Sequence, residues 1–225
     1  MFLYTPYQIS ITRGLSSHGF IRSQIVNKFS LNIIGGATAG VRGVELGGVF
    51  NINQYDMQGF QVAGVFNTVG GHVAGVQLAG VGNRVFGGVN GVQIAGVLNK
   101  TDTVRGVQIT GVANTAAEAA GTTQLAGVLN NSSGDVGIQI AGIANKAKKV
   151  KGFQLAGIVN IADSSDYPIG LLNLIKNGEK SLSLAIDENR YLGLQFRSGG
   201  RVLYSVLSVG VALADVGPAK YAFGA

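Results

Sequence analysis

A nine-residue phrase that recurs along this chain constrains its fold more than any other feature. The copy at residues 91–99 reads GVQIAGVLN, and eight clear copies fill residues 43–160. Together with a degenerate ninth copy, they end at Asn51, Asn67, Asn83, Asn99, Asn114, Asn130, Asn145, Asn160 and Asn173. These asparagines follow one another at intervals of 15 or 16 residues, with a last interval of 13. A fixed short period of this kind indicates a repeat architecture.

The columns of the aligned phrase suggest how each unit is built. The third position is Gln in every clear copy except the first, which has Glu45, and the sixth is always Gly. The fourth and seventh positions are always aliphatic, for example Ile94 and Val97. On a flat strand, residues three apart face opposite sides, whereas Gly permits a sharp bend between them. We therefore predict a corner at the sixth position, with both aliphatic columns in the core and the Gln column exposed.

Units that look alike and advance by equal steps favour parallel strands in successive coils, each stabilised by its neighbours. We predict an all-β fold, a parallel β-solenoid of about nine coils of 15–16 residues with a C-terminal antiparallel β-hairpin region. The predicted boundaries are residues 1–28 for an N-terminal strand or cap, 29–178 for the solenoid and 179–225 for the hairpin segment. The apolar end of that last segment suggests truncation.

Two sets of residues are candidates for special roles. Asn suits turns and can bond to identical residues above and below, so the nine closing asparagines are predicted to form a structural ladder. The connections between copies vary, and variable loops on a constant scaffold are where a solenoid carries specificity. Four positive charges fall within six residues of one connection, at Lys146, Lys148, Lys149 and Lys151. We interpret them as an anion-binding or glycan-binding candidate.

Composition excludes several kinds of chemistry. The chain has no Cys, so it has neither disulfides nor thiolate metal sites, and His18 and His72 lack partners at metal-ligand spacing. No nucleophile elbow or phosphate loop occurs, and the 36 glycines recur at the coil period instead. We predict no catalytic residues, no metal and no cofactor. The net charge of +6 does not by itself indicate nucleic acid, and none is expected as a partner. Hydrophobic content of 46% indicates extensive burial or contact with lipid.

The Gly-aliphatic-Gln-aliphatic-Ala/Gly-Gly-aliphatic-x-Asn units resemble those of a family of bacterial surface-repeat proteins from Gram-negative cell envelopes. The closing phrase YPIGLLNLIKNG at residues 167–178 is similar to that family's last unit, and the resemblance covers roughly residues 29–180. It implies a location in the cell envelope, at the outer membrane or cell surface, and no known catalytic activity. The first residues, MFLY, lack the features of a signal peptide.

The leading functional hypothesis is a non-enzymatic cell-surface or outer-membrane repeat protein that acts as a structural scaffold or an adhesive, glycan-binding module. Its expected partners are envelope polysaccharide or another surface protein, with membrane association also open. One alternative is an outer-membrane β-barrel, pore-like or transporter-like, in which each phrase is a spanning strand. Another is a carbohydrate-active enzyme on a β-helix, with carboxylates that meet in space from different coils.

Overall fold

The computed structural model describes residues 2–186, 191–200, 202–212 and 221–224, and most of these residues are in β-strands. One short 3₁₀ helix lies at Gly19–Gln24. The strands are β1 (Leu3–Thr12), β2 (Leu15–Ser16), β3 (Ile25–Asn32), β4 (Gly35–Thr38), β5 (Gly40–Gly47), β6 (Phe50–Asn53), β7 (Met57–Ala63), β8 (Phe66–Val69), β9 (Val73–Ala79), β10 (Gly82–Ala95), β11 (Leu98–Thr110), β12 (Ala113–Ala119), β13 (Thr122–Ala126), β14 (Leu129–Ser132), β15 (Asp135–Ala141), β16 (Ala144–Ala156), β17 (Val159–Ile169), β18 (Leu172–Ile175), β19 (Lys180–Ile186), β20 (Tyr191–Gly199), β21 (Tyr204–Ala212) and β22 (Tyr221–Gly224).

The strands from β3 to β18 form a parallel solenoid of about ten turns, which confirms the predicted fold class. Equivalent positions of successive copies lie side by side. Gln93, for example, pairs in register with Gln77 on one side and Gln108 on the other. Parallel pairing also joins β1 to β3, so the segment predicted as an N-terminal cap takes part in the solenoid pairing.

The glycine at the sixth position of each phrase allows the coils to stack closely at a corner. A Cβ atom added to Gly96 would overlap the backbone carbonyl oxygen of Gly80 in the preceding coil. Strand β10 ends at Ala95 and β11 begins at Leu98, so the chain turns between them at Gly96 and Val97. The predicted corner is therefore present, and its tight stacking explains why no other residue type occurs there.

The predicted placement of the side chains around the corner is wrong. Gln93 is completely buried, whereas Ile94 and Val97 are 37% and 43% exposed. Side chains alternate along the strand, so Gln93 and Ala95 point inward and Ile94 points outward. Because every coil contributes the same amide at the same height, the buried polar groups can satisfy one another, and no apolar column is needed at these positions.

The apolar part of the core comes instead from the connections between copies. Val73, Val89 and Val104 occupy equivalent positions before successive phrases and are at most 3% exposed. They belong to one buried apolar cluster that runs from Met57 to Ile175. Each coil therefore encloses a polar half, built from its Gln and Asn, and an apolar half, built mainly from Val and Ala.

The C-terminal region is a separate four-stranded antiparallel sheet in the order β19-β20-β21-β22, which confirms the predicted antiparallel segment. It touches the last coil through hydroxyl groups. Ser205 Oγ accepts a hydrogen bond of 3.2 Å from the Asn173 side chain, and Ser198 Oγ accepts one of 3.3 Å from the Asn173 backbone amide. The sheet therefore caps polar groups at the end of the solenoid.

Candidate binding surfaces

The closing asparagines form a hydrogen-bonded row inside the solenoid. Within residues 2–186, each Nδ2 donates to the Oδ1 of the next asparagine from Asn32 to Asn173, at 2.8–3.1 Å. From Asn51 onward, the Nδ2 atoms also donate to backbone carbonyls, as Asn83 does to Ile94 at 2.9 Å. The nine asparagines named from the sequence belong to this row, which Asn32 extends by one coil. All are buried, so they hold the coils together and are not a ligand-binding surface.

A second buried row is formed by the glutamines and runs in the opposite direction. Each Nε2 donates to the Oε1 of the preceding glutamine, from Gln154 back to Gln61, at 2.7–2.9 Å. The row stops where Pro168 pairs with Gln154, and Gln154 Oε1 there has no hydrogen-bond partner in the described structure. The sequence analysis predicted that these side chains are exposed. The recurrence of Gln at the third position of the copies was the signal that could have indicated a buried row.

Glu45 ends the glutamine row at its N-terminal side. Its carboxylate accepts hydrogen bonds from Gln61 Nε2 at 2.7 Å and from Asn32 Nδ2 at 3.1 Å. Burial raises the pKa of the Glu45 carboxyl to about 7, against the opposing effect of these and neighbouring side-chain hydrogen bonds. A carboxyl group completely enclosed in the solenoid cannot reach a substrate, so we interpret Glu45 as a structural residue with a pH-dependent effect on stability.

The outward side chains around the corner make an extended surface that is apolar except for Thr123. We call it the apolar edge and define it as the second, fourth, seventh and eighth positions of the eight copies, for example Val92, Ile94, Val97 and Leu98. Many of its aliphatic and aromatic side chains are 36–48% exposed. Within the eight copies the only charged residue is the buried Glu45, so no exposed charge interrupts the edge. An apolar surface of this extent marks an interaction site in most proteins.

Positive charges line both sides of the apolar edge. One flanking row consists of the residues just before each copy, and the other of the residues just after each closing asparagine. We call the Lys and Arg residues in these rows the flanking cations: Arg42, Arg105 and Lys151 before a copy, and Arg84, Lys100 and Lys146 after one. Neither row contains an acidic residue in the eight copies. Apart from the buried Glu45, the acidic residues of this region lie farther along the connections, at Asp56, Asp102, Glu118 and Asp135.

The four lysines singled out in the sequence cross the side of the solenoid that faces away from the apolar edge, here called the polar side. They belong to strand β16 and not to a loop, because Ala147 and Val150 between them are buried in the core. All four lysines are exposed, and Lys149 pairs in register with Asp135 on the adjacent strand. Lys148 and Lys149 lie in the middle of the polar side, whereas the other two are flanking cations.

The polar side also carries a groove that sequence reasoning did not find. It has a volume of about 300 Å³ and crosses four coils, from Arg105 past Glu118 and Asp135 to Lys148. Thr103 and Ser133 add hydroxyl groups to its lining. These residues are far apart in the sequence, and the parallel register brings Thr103 beside Glu118. Hydroxyls, carboxylates and cations together can bind a polar, hydroxyl-rich ligand.

The described residues give no sign of a metal centre. No three His, Asp or Glu side chains in this part of the chain come together as ligands, and His18 and His72 lie in separate regions. Burial lowers the pKa of His18. Among the same residues, no helix has the length and hydropathy of a membrane span.

Comparison with known proteins gave no match to a family model, to a curated protein or to a solved structure.

Proposed function

We propose that the chain is a non-enzymatic repeat protein of the cell envelope, a rigid scaffold that binds anionic polysaccharide along its polar side. The observation that carries this proposal is the groove between Arg105 and Lys148, which runs across four coils. A groove that follows the solenoid axis suits an extended polymer. The two amide rows favour a fixed geometry, because they hold the coils in one register.

The groove has the chemical groups that recognise sugars with acidic substituents. Glu118 and Asp135 can accept hydrogen bonds from sugar hydroxyls, while Arg105 and Lys148 can donate to carboxylate or phosphate groups. Lys149 is exposed next to the groove and adds a further positive charge. These cations attract an anionic polymer from solution, an effect that salt weakens. The envelope location is supported by the resemblance of the repeats to bacterial surface-repeat proteins.

Binding to a polysaccharide and to its uncharged derivative tests this proposal. Polygalacturonate and its fully methyl-esterified form share a backbone and differ in charge. We expect calorimetry to detect weak, salt-sensitive binding of polygalacturonate and none of the ester. The double substitution Lys148→Ser with Lys149→Ser should weaken that binding at least tenfold, because each cation adjoins the groove.

A second double substitution serves as the matched control. Lys176 and Lys180 are exposed and lie outside the groove, so Lys176→Ser with Lys180→Ser removes the same charge from another place. Equal losses in the two double variants would contradict a groove site and indicate general attraction to a basic protein. Release of shortened sugars during the titration would contradict the non-enzymatic assignment.

A further inference from the structure

We propose that the apolar edge docks on an anionic lipid bilayer, with its side chains among the outer acyl chains and the flanking cations at the headgroups. This inference concerns the corner of the solenoid, which shares only the flanking cation Arg105 with the groove, and it goes beyond the proposed function. It depends on three observations: the extent of the edge, its shape and the distribution of charge beside it.

The apolar edge is much larger than the isolated exposed apolar residues that occur on most protein surfaces. Eight stacked copies at about 4.8 Å per strand give it a length of about 34 Å. Along that length Val49, Val97 and Ile158 occupy equivalent positions and are 39%, 43% and 48% exposed. Contact of this much apolar surface with water is unfavourable, because the free energy falls when such surface is buried. The exposed edge therefore points to an apolar partner.

The shape of the edge favours lipid over a second copy of the chain. Ile94 and Val97 lie on either side of the corner at Gly96, so the apolar surface is convex. Two rigid convex edges would touch along a line and leave most of both surfaces in water. A fluid lipid phase can cover both slopes of the corner at once. The outward reach of one layer of side chains also fits the shallow depth at which interfacial segments bind.

The charge distribution identifies the lipid surface as anionic. All six flanking cations lie next to the apolar edge in the sequence, and one of them, Arg105, also lines the end of the groove. Apart from the buried Glu45, the acids of the same coils lie on the polar side. Arg84 and Lys100 are paired on adjacent strands, where like charges repel one another. An anionic headgroup between them would remove that repulsion. Lys and Arg at the rim of an apolar surface can extend to headgroups while their aliphatic stems remain against lipid.

Flotation with lipid vesicles tests the proposal on the whole chain. We expect the protein to bind vesicles of phosphatidylcholine with 30 mol% phosphatidylglycerol, and to bind pure phosphatidylcholine much more weakly. The double substitution Ile94→Ser with Val97→Ser should reduce binding at least tenfold, because both side chains would leave the lipid. Both positions face outward, so circular dichroism should show the fold retained. Tyr55→Ser, at an exposed aromatic residue on the polar side, is the matched control and should leave binding unchanged.

The four lysines of strand β16 provide a second matched pair. Lys146→Gln with Lys151→Gln removes two flanking cations and should weaken binding to anionic vesicles roughly 30-fold. Lys148→Gln with Lys149→Gln removes the same charge from the middle of the polar side and should weaken it less than about threefold. The polygalacturonate titration should respond in the reverse order, so failure of lipid docking is distinguishable from failure of glycan binding.

A tryptophan reporter measures the depth of insertion, since the chain contains no native Trp. We expect the fluorescence of a Val97→Trp variant to be quenched by brominated lipid, and that of Tyr55→Trp to be unaffected. Three results would overturn the proposal: no vesicle binding, binding that survives the edge substitutions, or equal quenching at both positions. A different result would be dimers that form with rising protein concentration and that dissociate in the edge variants. That result would show that the apolar edge binds a second copy of the chain and not lipid.

Discussion

Replacing Glu45 by Gln would extend the buried glutamine row by one member and remove its only ionisable group. The Glu45 carboxylate now accepts hydrogen bonds from Gln61 and Asn32. The amide of a Glu45→Gln variant can still accept from Gln61 through its oxygen. Its nitrogen has Ser30 nearby as an acceptor, and Asn32 keeps its bond to Asn51. The exchange is therefore expected to preserve the fold and to alter mainly the response to pH.

The size of the pH effect follows from the two pKa values. The Glu45 carboxyl has an ordinary value of 4.5 and a folded value of about 7, so the folded chain binds its proton more tightly. Between these values the folded state holds more protons than the unfolded state, and stability falls as pH rises. The two pKa values differ by about 2.5, and each pKa unit corresponds to about 1.36 kcal/mol, so the effect on the unfolding free energy is about 3 kcal/mol. The penalty is absent below pH 4.5 and complete somewhat above pH 7.

Urea denaturation followed by circular dichroism, at pH 4 and at pH 8, measures this effect. When pH rises from 4 to 8, we expect the unfolding free energy of the parent to fall by about 3 kcal/mol relative to that of the Glu45→Gln variant. Any fixed cost of the new amide cancels in this comparison. Glu118→Gln, at an exposed carboxylate, is the control and should differ from the parent by less than about 0.5 kcal/mol at both pH values. A parent-to-variant difference that stays the same at both pH values would refute the reasoning.

Three further predictions concern the coil interior, each read out by chemical denaturation. Gln93→Leu should cost about 3 kcal/mol, because it leaves the neighbouring amides of the row without partners; a cost below 0.5 kcal/mol would contradict a buried row. Gly96→Ala should cost about 3 kcal/mol, since its Cβ overlaps the preceding coil, whereas Gly14→Ala, with open space around it, should be nearly neutral. Asn99→Ala and Asn173→Ala should each cost about 2 kcal/mol, because Ser205 replaces the missing neighbour of Asn173; a clearly smaller loss at Asn173 would show that this cap contributes little.

The sequence was sufficient to predict the coil period, the parallel stacking and the asparagine row. These depend on spacing, and the interval between closing asparagines sets the length of each turn. The orientation of the side chains was predicted wrongly because apolar residues were assumed to point inward. Ile94 and Gln93 are adjacent and must face opposite ways. The structure buries the glutamine because stacked identical amides satisfy each other, an energy term that single-residue hydropathy does not contain.

Both candidate surfaces depend on relations between coils that a linear sequence does not display. The groove unites Arg105, Glu118, Asp135 and Lys148, which come from four different turns. Their proximity follows only from the register of each strand with the next. The apolar edge did leave a signal in the sequence, since no exposed charge falls within any copy of the phrase. That signal indicates a partner only after the aliphatic positions are known to face outward.

The opposite directions of the two amide rows have an electrostatic consequence for the length of the solenoid. Asparagine side chains donate toward the C-terminal end, so their dipoles add along the axis in that direction. Glutamine side chains donate toward the N-terminal end, and their dipoles add the other way. In an α-helix, aligned dipoles accumulate into partial charges at the two ends. Here each coil contributes one asparagine dipole and one glutamine dipole that point in opposite directions along the axis. Turns can therefore be added or removed while the electrostatic potential at either end stays nearly constant.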